Sequence, residues 1–511
     1  MPKSRTVNSV RNIIWACIQK IVMIVFPFIV RSVMIMKLGE EYTGLSSLFT
    51  SILSILSLAE LGFGFAMVYC MYEPINKGDN QQICALLNLY KKIYSLIGAV
   101  ILGVGLCLLP FLEHFIKGAV PNGINIYTLY LIYLSNTVVS YFMFAYKSSL
   151  MTAYQRSDII SQIMTVTNIL LYALQIGVMV VFESFYLYAV LIPATTLLMN
   201  ISYEIISRKL YPEITPRGTV SKDVKDKIKK RVIGIMLYKF SSTTRSSFNS
   251  LIISMFLGLV LLTRYQNYFM IISSVLGVLA IIHSSVTASV GDSIIEKDPE
   301  ANYKDFNKFV FLYMWLSAFC TVCITCLIQP FMTLWLGKES LLPFGIVAVM
   351  SLYFYAQTMG DMVYLYRTAA GLWWEDRVRP IVEAAANIIL NILLVKIFGL
   401  YGAVLATVLT LIFINFYWGG KILFKFYFKR SMREYILKQI FSALVTLTVT
   451  SITYGICSFI NFSPILTLIA RLPICVIVPN LIIWLCYRKT DAFNEAKKFT
   501  VNAVKMLIKN C

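Results

Sequence analysis

The chain has 511 residues, of which 58% are hydrophobic and only 14% charged, and its mean hydropathy is +0.74. Soluble domains carry about 25% charged residues, so a water-soluble globular protein is excluded. The net charge of +20 does not point to nucleic acid, because the basic residues sit in short loops between apolar runs instead of gathering in one tract. Those runs are about 20 residues long, the length of a membrane-spanning helix, and the alternating pattern of a membrane β-barrel is absent. The chain reads as an all-α polytopic membrane protein.

The N-terminal MPKSRTVNSVRN is followed by a full-length apolar run with no small-residue cleavage site, so it reads as an uncleaved first span. Taken in order, the apolar runs predict fourteen spans: 11–36, 44–71, 90–112, 125–146, 159–182, 185–207, 232–257, 260–290, 308–330, 342–366, 380–397, 401–424, 436–459 and 464–487. The loops on the N-terminal side of these spans hold 35 Lys and Arg, and the opposite loops hold only Lys37, Lys117, Lys338 and Lys396. Basic loops stay in the cytoplasm, so both termini are expected there. The longest connection, 208–231 (RKLYPEITPRGTVSKDVKDKIKKR), reads as a solvated linker with a basic helix on anionic head groups.

The two sides of that linker repeat one another faintly. Leu38-Gly39 and Leu257-Gly258 each close a span at an offset of 219, and FESFYLYAV (182–190) resembles FGLYGAV (398–404). The expected organisation is an N-lobe over 1–209 (spans 1–6), a basic linker over 210–231 and a C-lobe over 232–430 (spans 7–12). Spans 13 and 14 (431–487) and a tail (488–511) lie outside the repeat, and parallel repeats of this kind place a site between the halves.

No catalytic constellation is visible, and the chain reads as a non-enzyme. Its two histidines, His114 and His283, have no metal-like pairing with Cys or Asp, and no phosphate-cradling GxxxxGK[ST] loop occurs. The eleven cysteines read as small buried hydrophobes, with no metal site. What stands out is charge inside the spans, which is costly in a bilayer and therefore faces protein or a wet cavity. Arg31 lies in the outer part of span 1, Arg245 in the middle of span 7 and Arg264 early in span 8. Guanidinium groups clamp phosphate, so convergence of the three would suit an anionic substrate; snorkelling to the interface is the competing reading for Arg31 and Arg264.

Around Arg245 the helix is polar (SSTTRSSFNS, with Asn249 one turn on), which reads as a wetted surface, and TRYQNYF (263–269) offers tyrosines and Gln266 for sugar contact or for an interfacial belt. The acids Glu60 and Asp361 read either as structural counterions or as proton- or sodium-coupling residues, and Glu383 as a favourable charge at a helix start. Pro27, one turn before Arg31, marks a bending point in span 1.

Several stretches carry a resemblance: LGEEYTGLSSLFTSILSILSLAELGFGFAMVYCMYEPI (38–75), TRSSFNSLIISMFLGLVLLTRYQNYFMI (244–271), ASVGD (288–292), LWLG (334–337) and GLYGAVLAT (399–407). In order and spacing they resemble the polysaccharide-transporter, or O-antigen flippase-like, family of the multidrug/oligosaccharidyl-lipid/polysaccharide exporter superfamily, over residues 8 to 430. The resemblance implies two six-helix lobes around a central cavity in the bacterial cytoplasmic (inner) membrane. It implies flipping of undecaprenyl-pyrophosphate-linked oligosaccharide (an O-antigen, capsule or exopolysaccharide unit) by alternating access. It also implies no cofactor, membrane lipids and the lipid-linked glycan as partners, and association with other polysaccharide-assembly proteins. Arg31 and Arg245 match the family's recurrent arginines in spans 1 and 7. Relatives often carry aspartate where this chain has Asn249, which weakens an acid-based role there. Two alternatives are set beside it. A cation-coupled multidrug exporter of the same superfamily would favour an acidic cavity, and a membrane polymerase or ligase would need a large extracytoplasmic loop that is missing.

Overall fold

A computed structural model describes residues 5–510 except 61, 119 and 122. The side chains of residues 5–10, 59, 227, 230, 231, 233–235, 237–239, 242, 288, 503, 504 and 506–510 are outside the described set, so the basic residues Lys227, Lys230 and Arg231 are described by their backbone alone. The protein is 86% helical, with no strand among the described residues. That follows from its medium: a bilayer offers no hydrogen-bond partners, so each spanning segment satisfies its backbone internally.

The chain divides into two compact units, Met1–Thr263 and Arg264–Cys511. The first holds α1 (Arg5–Lys37), α2 (Glu40–Leu56), α3 (Phe63–Lys77), α4 (Asn80–Cys107), α5 (Ile126–Phe142), α6 (Lys147–Ala153), α7 (Ser157–Val181), α8 (Phe185–Leu210) and α9 (Lys222–Leu257), and it ends inside α10 (Leu259–Glu296). Helix α1 packs along α7, α5 and α7 along α8, and α9 along α2. Side-chain caps set several starts: Asp79 accepts from Gln82 N, and Asn125 from Tyr127 N and Thr128 N.

The second unit continues with α11 (Pro299–Leu336), α12 (Phe344–Met359), α13 (Asp361–Ala369), α14 (Arg379–Phe398) and α15 (Leu400–Thr410). The latter runs on through π-helical Leu411–Trp418 and α16 (Gly419–Leu423) to a second π-helical turn at Phe424–Phe428. Then follow α17 (Arg433–Ser458), α18 (Pro464–Tyr487) and α19 (Asp491–Asn510). Helix α11 is the axis of this unit, touching α12, α17, α18 and α19, and the core there includes Phe311, Met314, Val322, Val449 and Ile483.

Among the described residues, ten helices are long and apolar enough to cross a membrane, and an eleventh span results if α5 and α6, bent by 51°, count as one. This is a multi-pass membrane protein, with fewer uninterrupted spans than the fourteen expected. Three expected spans differ for physical reasons. The 44–71 run is broken: α2 gives way to one 3-10 turn at Ser57–Glu60, Gly62 takes φ 99°, and α3 starts afresh. The 342–366 run breaks at Gly360 between α12 and α13, where an added Cβ would lie 2.7 Å from Asn415 Oδ1. The 232–257 run is the end of α9, whose hydroxyl-rich middle keeps it below the hydropathy of a span. Pro27, by contrast, lies inside an undivided α1.

One backbone conformation recurs at a fixed spacing. Gly39 (φ 113°, ψ 170°) and Gly258 (φ 92°, ψ 174°) stand 219 residues apart, and so do Gly118 (φ 95°) and Gly337 (φ 83°).

Charges absent from the fold expectation anchor both units. In the second, Arg379 Nε contacts Asp376 Oδ1 at 2.6 Å and its Nη1 contacts Glu383 Oε2 at 2.7 Å. Arg367 reaches the other Asp376 oxygen at 3.2 Å, and Asn415 Nδ2 donates to both Glu383 oxygens. Arg379 is 1% and Glu383 0% exposed. Glu383 is therefore not the helix-start charge that its position promised but the buried end of an ion-pair chain. In the first unit Asp158 is held by Arg11 at 2.7 Å and Arg156 at 3.1 Å, and buried Lys147 lies 3.5 Å from Glu204, which also pairs with Arg208. Removing one partner of such a pair leaves an uncompensated buried charge. Glu383→Leu should lower stability by about 3–5 kcal/mol, whereas Arg379→Met combined with Glu383→Leu should cost less than the sum of the two single changes. Gly419→Ala should lower the melting temperature, because its Cβ would strike the Arg367 guanidinium, while Gly177→Ala, which meets nothing within 4 Å, should not; thermal unfolding in detergent of these variants and of Arg379→Met alone measures all of this.

Candidate functional site

The expected cavity residues fall in different units. Arg31, Glu60, Arg245 and Asn249 belong to the first, and Arg264, Gln266 and Asp361 to the second.

In the first unit, Arg31 on α1 is half-buried and its Nη2 donates to Thr263 O at 3.2 Å. Thr263 is itself fixed, its Oγ1 donating to Glu40 O at 2.5 Å. The start of α10 can lie this close because residue 44 is glycine: a Cβ there would collide with the backbone of Leu259. Arg31 is thus anchored to the backbone at the start of α10.

Arg245 and Asn249 lie on α9, 9% and 4% exposed. Thr244, Ser247, Ser250 and Ser254 are buried with them, while Ser246 is exposed. The SSTTRSSFNS stretch is therefore packed, which corrects the expectation of a wetted surface. It lies along a second hydroxyl-rich helix, since α2 contributes Thr43, Ser47, Thr50, Ser51 and Ser54, each donating to the carbonyl four residues earlier. Such hydroxyls satisfy themselves locally in apolar surroundings and leave oxygen lone pairs on the helix surface. On the same helix Tyr133 Oη donates to Ser46 Oγ at 2.7 Å.

Glu60 occupies the 3-10 turn that breaks the second apolar run. Its carboxylate accepts from Tyr94 Oη and, at 2.6 Å, from Tyr141 Oη, and Tyr90 Oη donates to Tyr94 Oη at 2.8 Å. Two tyrosines, one from α4 and one from α5, therefore converge on one acid, with Tyr90 behind Tyr94. The break is what turns Glu60 towards them.

The second unit carries a counterpart. Asp361 opens α13 directly after the Gly360 break, Tyr313 Oη donates to its Oδ2 at 2.6 Å, and His283 Nε2 lies 3.2 Å from its carbonyl oxygen. Tyr313 stands 219 residues after Tyr94, the offset of the matched glycines. Arg264 and Gln266 are half-buried on α10. Their neighbour Tyr268 is fully buried, donating to Gln329 Oε1 at 2.9 Å and accepting from Leu342 N, and Tyr265 is 5% exposed and stacked on Phe269. Those two rings are packing elements here, which removes them from the sugar-stacking expectation and leaves Gln266.

Sequence reasoning does not single out Lys147, Asp158, Arg367, Asp376 or Arg379. A signal exists: acids and bases crowd together just before an apolar run at RSD (156–158) and DRVR (376–379). In a tally of loop charge it merges with the other basic residues.

No protein-family model matches the sequence, and no curated protein sequence matches it either. Solved structures do match. One is described as the lipid II flippase MurJ in an inward closed conformation, at TM-score 0.68 and 14% identity over 94% of this chain and 99% of that one. Another is an inward-facing multidrug resistance MATE family transporter of the MOP superfamily, at TM-score 0.63 and 14% identity over 80% and 97%. A third is a MOP superfamily transporter from Pyrococcus furiosus, described as having a binding pocket of reverse polarity, at 0.54 and 15% over 85% and 96%. The chain has the polytopic helical fold of the MATE and MurJ transporters.

Proposed function

We propose that the protein is a flippase that moves a lipid-linked oligosaccharide, of the undecaprenyl-pyrophosphate class, across the bacterial cytoplasmic membrane by alternating access. The observation that carries this reading is Arg245, an arginine 9% exposed in a hydroxyl-rich helix, in the same unit as Arg31 and Asn249. A cation held among hydroxyls recognises phosphate oxygens, and the fork of a guanidinium does so with two parallel hydrogen bonds. In the second unit, Arg264 is assigned to phosphate oxygens and Gln266 to glycan hydroxyls. The matched glycines and the Tyr94/Tyr313 spacing support a duplicated plan, with the lobes at 1–209 and 232–430.

We assign the lipid part of such a substrate to an apolar surface of the second unit. A cleft of about 430 Å³ between α11, α12 and α17 is walled by Phe344, Leu352, Leu444, Leu447 and Tyr454, and an isoprenoid chain gains roughly 0.8 kcal/mol per buried CH₂. One of the similar solved structures is a lipid II flippase, which supports a cargo with a lipid part.

A second reading, cation-coupled drug export, draws on Glu60 and Asp361, since acids inside a membrane domain attract cationic cargo or coupling ions. The flippase reading assigns those two acids to proton or sodium coupling or to gating.

In proteoliposomes loaded with fluorescent lipid-linked oligosaccharide, Arg245→Ala should slow translocation about tenfold or more, the loss of one charge-assisted hydrogen bond of roughly 1.5–3 kcal/mol. Arg245→Lys should recover part of it. An Arg245→Ala variant that flips at the parent rate while wild type exports a cationic dye would move the assignment to drug export. Glu60→Gln and Asp361→Asn should abolish acceleration by an imposed proton or sodium gradient without blocking downhill equilibration, and parent transport indifferent to both gradients would remove the coupling role. Reporter fusions within 208–231 should report a cytoplasmic location, and an external signal would overturn the orientation.

A further inference from the structure

The cysteines do not scatter in the fold. Cys326 on α11, Cys457 near the end of α17 and Cys475 in α18 place their sulfurs within 4.8 Å of one another, and all three are 0–1% exposed. Cys323, one turn earlier on α11, also touches Cys475. This departs from the reading of isolated small hydrophobes. Residues spread over 149 positions in sequence, on three helices of one unit, supply the three sulfurs.

A second observation concerns charge. Arg471, four residues before Cys475 on α18, lies against the cluster: its Nη1 donates to Cys326 O at 3.0 Å and its Nη2 to Ile460 O at 2.9 Å. Its Nε is buried without a hydrogen-bond partner, and no described carboxylate lies within ion-pairing distance of it. Arg471 as a whole is half-buried, and the fully buried arginines of this unit, Arg367 and Arg379, have carboxylates. A guanidinium inside an apolar bundle with carbonyl partners alone lacks a counter-charge, and what stands beside it is a set of thiols.

We propose that Cys326, Cys457 and Cys475 form a binding site for one soft monovalent cation of the cuprous class, with Arg471 as its counter-cation. Soft thiolate sulfur selects such ions, and the site offers neither histidine nor carboxylate; Cys323 touches Cys475 alone and stands outside the set of three sulfurs that lie within 4.8 Å of one another, which leaves a three-coordinate arrangement and not the four-ligand tetrahedron of zinc. On binding, two thiols each release a proton and the third donates as a neutral thiol. The ion's single positive charge against two thiolates leaves one negative charge, which Arg471 balances, and no oxidation state changes. Cys457 lies one residue before the end of α17. Bound metal would pin α17 and α18 to α11.

The test uses full-length protein in nanodiscs with exposed Cys17, Cys107 and Cys486 replaced by serine, titrated with Cu(I) against a chromophoric chelator under anaerobic reducing conditions. One Cu(I) per chain is expected, with sulfur-only ligation by X-ray absorption, and Cys457→Ser should abolish it. Arg471→Gln should keep the stoichiometry but weaken affinity about tenfold or more, as changes beside a metal's ligands do. Binding no tighter than that of a monodisperse, helical Cys326→Ala/Cys457→Ala/Cys475→Ala variant would overturn the site, and unchanged affinity in Arg471→Gln would overturn the counter-cation. Should the triple variant not fold, the X-ray absorption of the parent decides alone: nitrogen or oxygen ligands refute the site.

Discussion

The structure depends on one constraint: a charge or polar group inside an apolar medium has to find its partner within the protein. The Arg367–Asp376–Arg379–Glu383–Asn415 chain shows how far this shapes the backbone. Asn415 meets Glu383 from within a π-helical turn, where the wider winding changes the direction in which side chains leave the helix. Gly360 and Gly419 lie where a side chain would displace Asn415 and Arg367. The irregular points of the second unit thus cluster around its buried ions.

The same constraint explains the two broken spans. Glu60 and Asp361 each sit at an interruption of a helix, and each accepts from a tyrosine, Tyr94 or Tyr313, at matching places in the two halves of the chain. The acceptor, however, comes from different elements. In the first unit it follows α2, and Tyr141 on α5 is a second donor. In the second unit the acid itself, Asp361, stands 220 residues after Tyr141. A donor on one helix and an acid at a break keep the contact, although the acid has moved along the chain. A break leaves backbone groups without intrahelical partners, and a side chain anchored there by a charge-assisted bond holds the two pieces in line.

Composition and periodicity made the class of fold legible, because runs of about 20 apolar residues leave few other structures available. The in-span charges were visible for the same reason: Arg31, Arg245, Glu60 and Asp361 contrast with their surroundings. Their partners were not. Nothing local in the sequence ties Arg31 to the carbonyl of Thr263 or Glu60 to Tyr141, since those pairings depend on packing between distant helices. Hydropathy also smooths over interruptions, so that 44–71 and 342–366 read as continuous when a glycine and a half-buried acid divide them. The hydroxyls of α9 misled in the opposite sense. Polar residues in a membrane helix read as wet, but here Ser246 and Ser250 bond their own backbone, and Thr244 and Ser254 are buried.

Arginine placement finally separates two kinds of charge within the second unit, the buried Arg367 and Arg379 and the half-buried Arg471. Arg367 and Arg379 are neutralised by Asp376 and Glu383, so their charge is consumed in holding the unit together, and neither has reason to attract an external anion. Arg471 instead meets two backbone carbonyls. A carbonyl satisfies a guanidinium's geometry but leaves its charge in place. Positive charge that the fold positions without cancelling produces a lasting attraction for an anion, and inside a low-dielectric protein that attraction is far stronger than at a surface. By this criterion Arg471 suits a thiolate, whereas the Arg379 network is architecture.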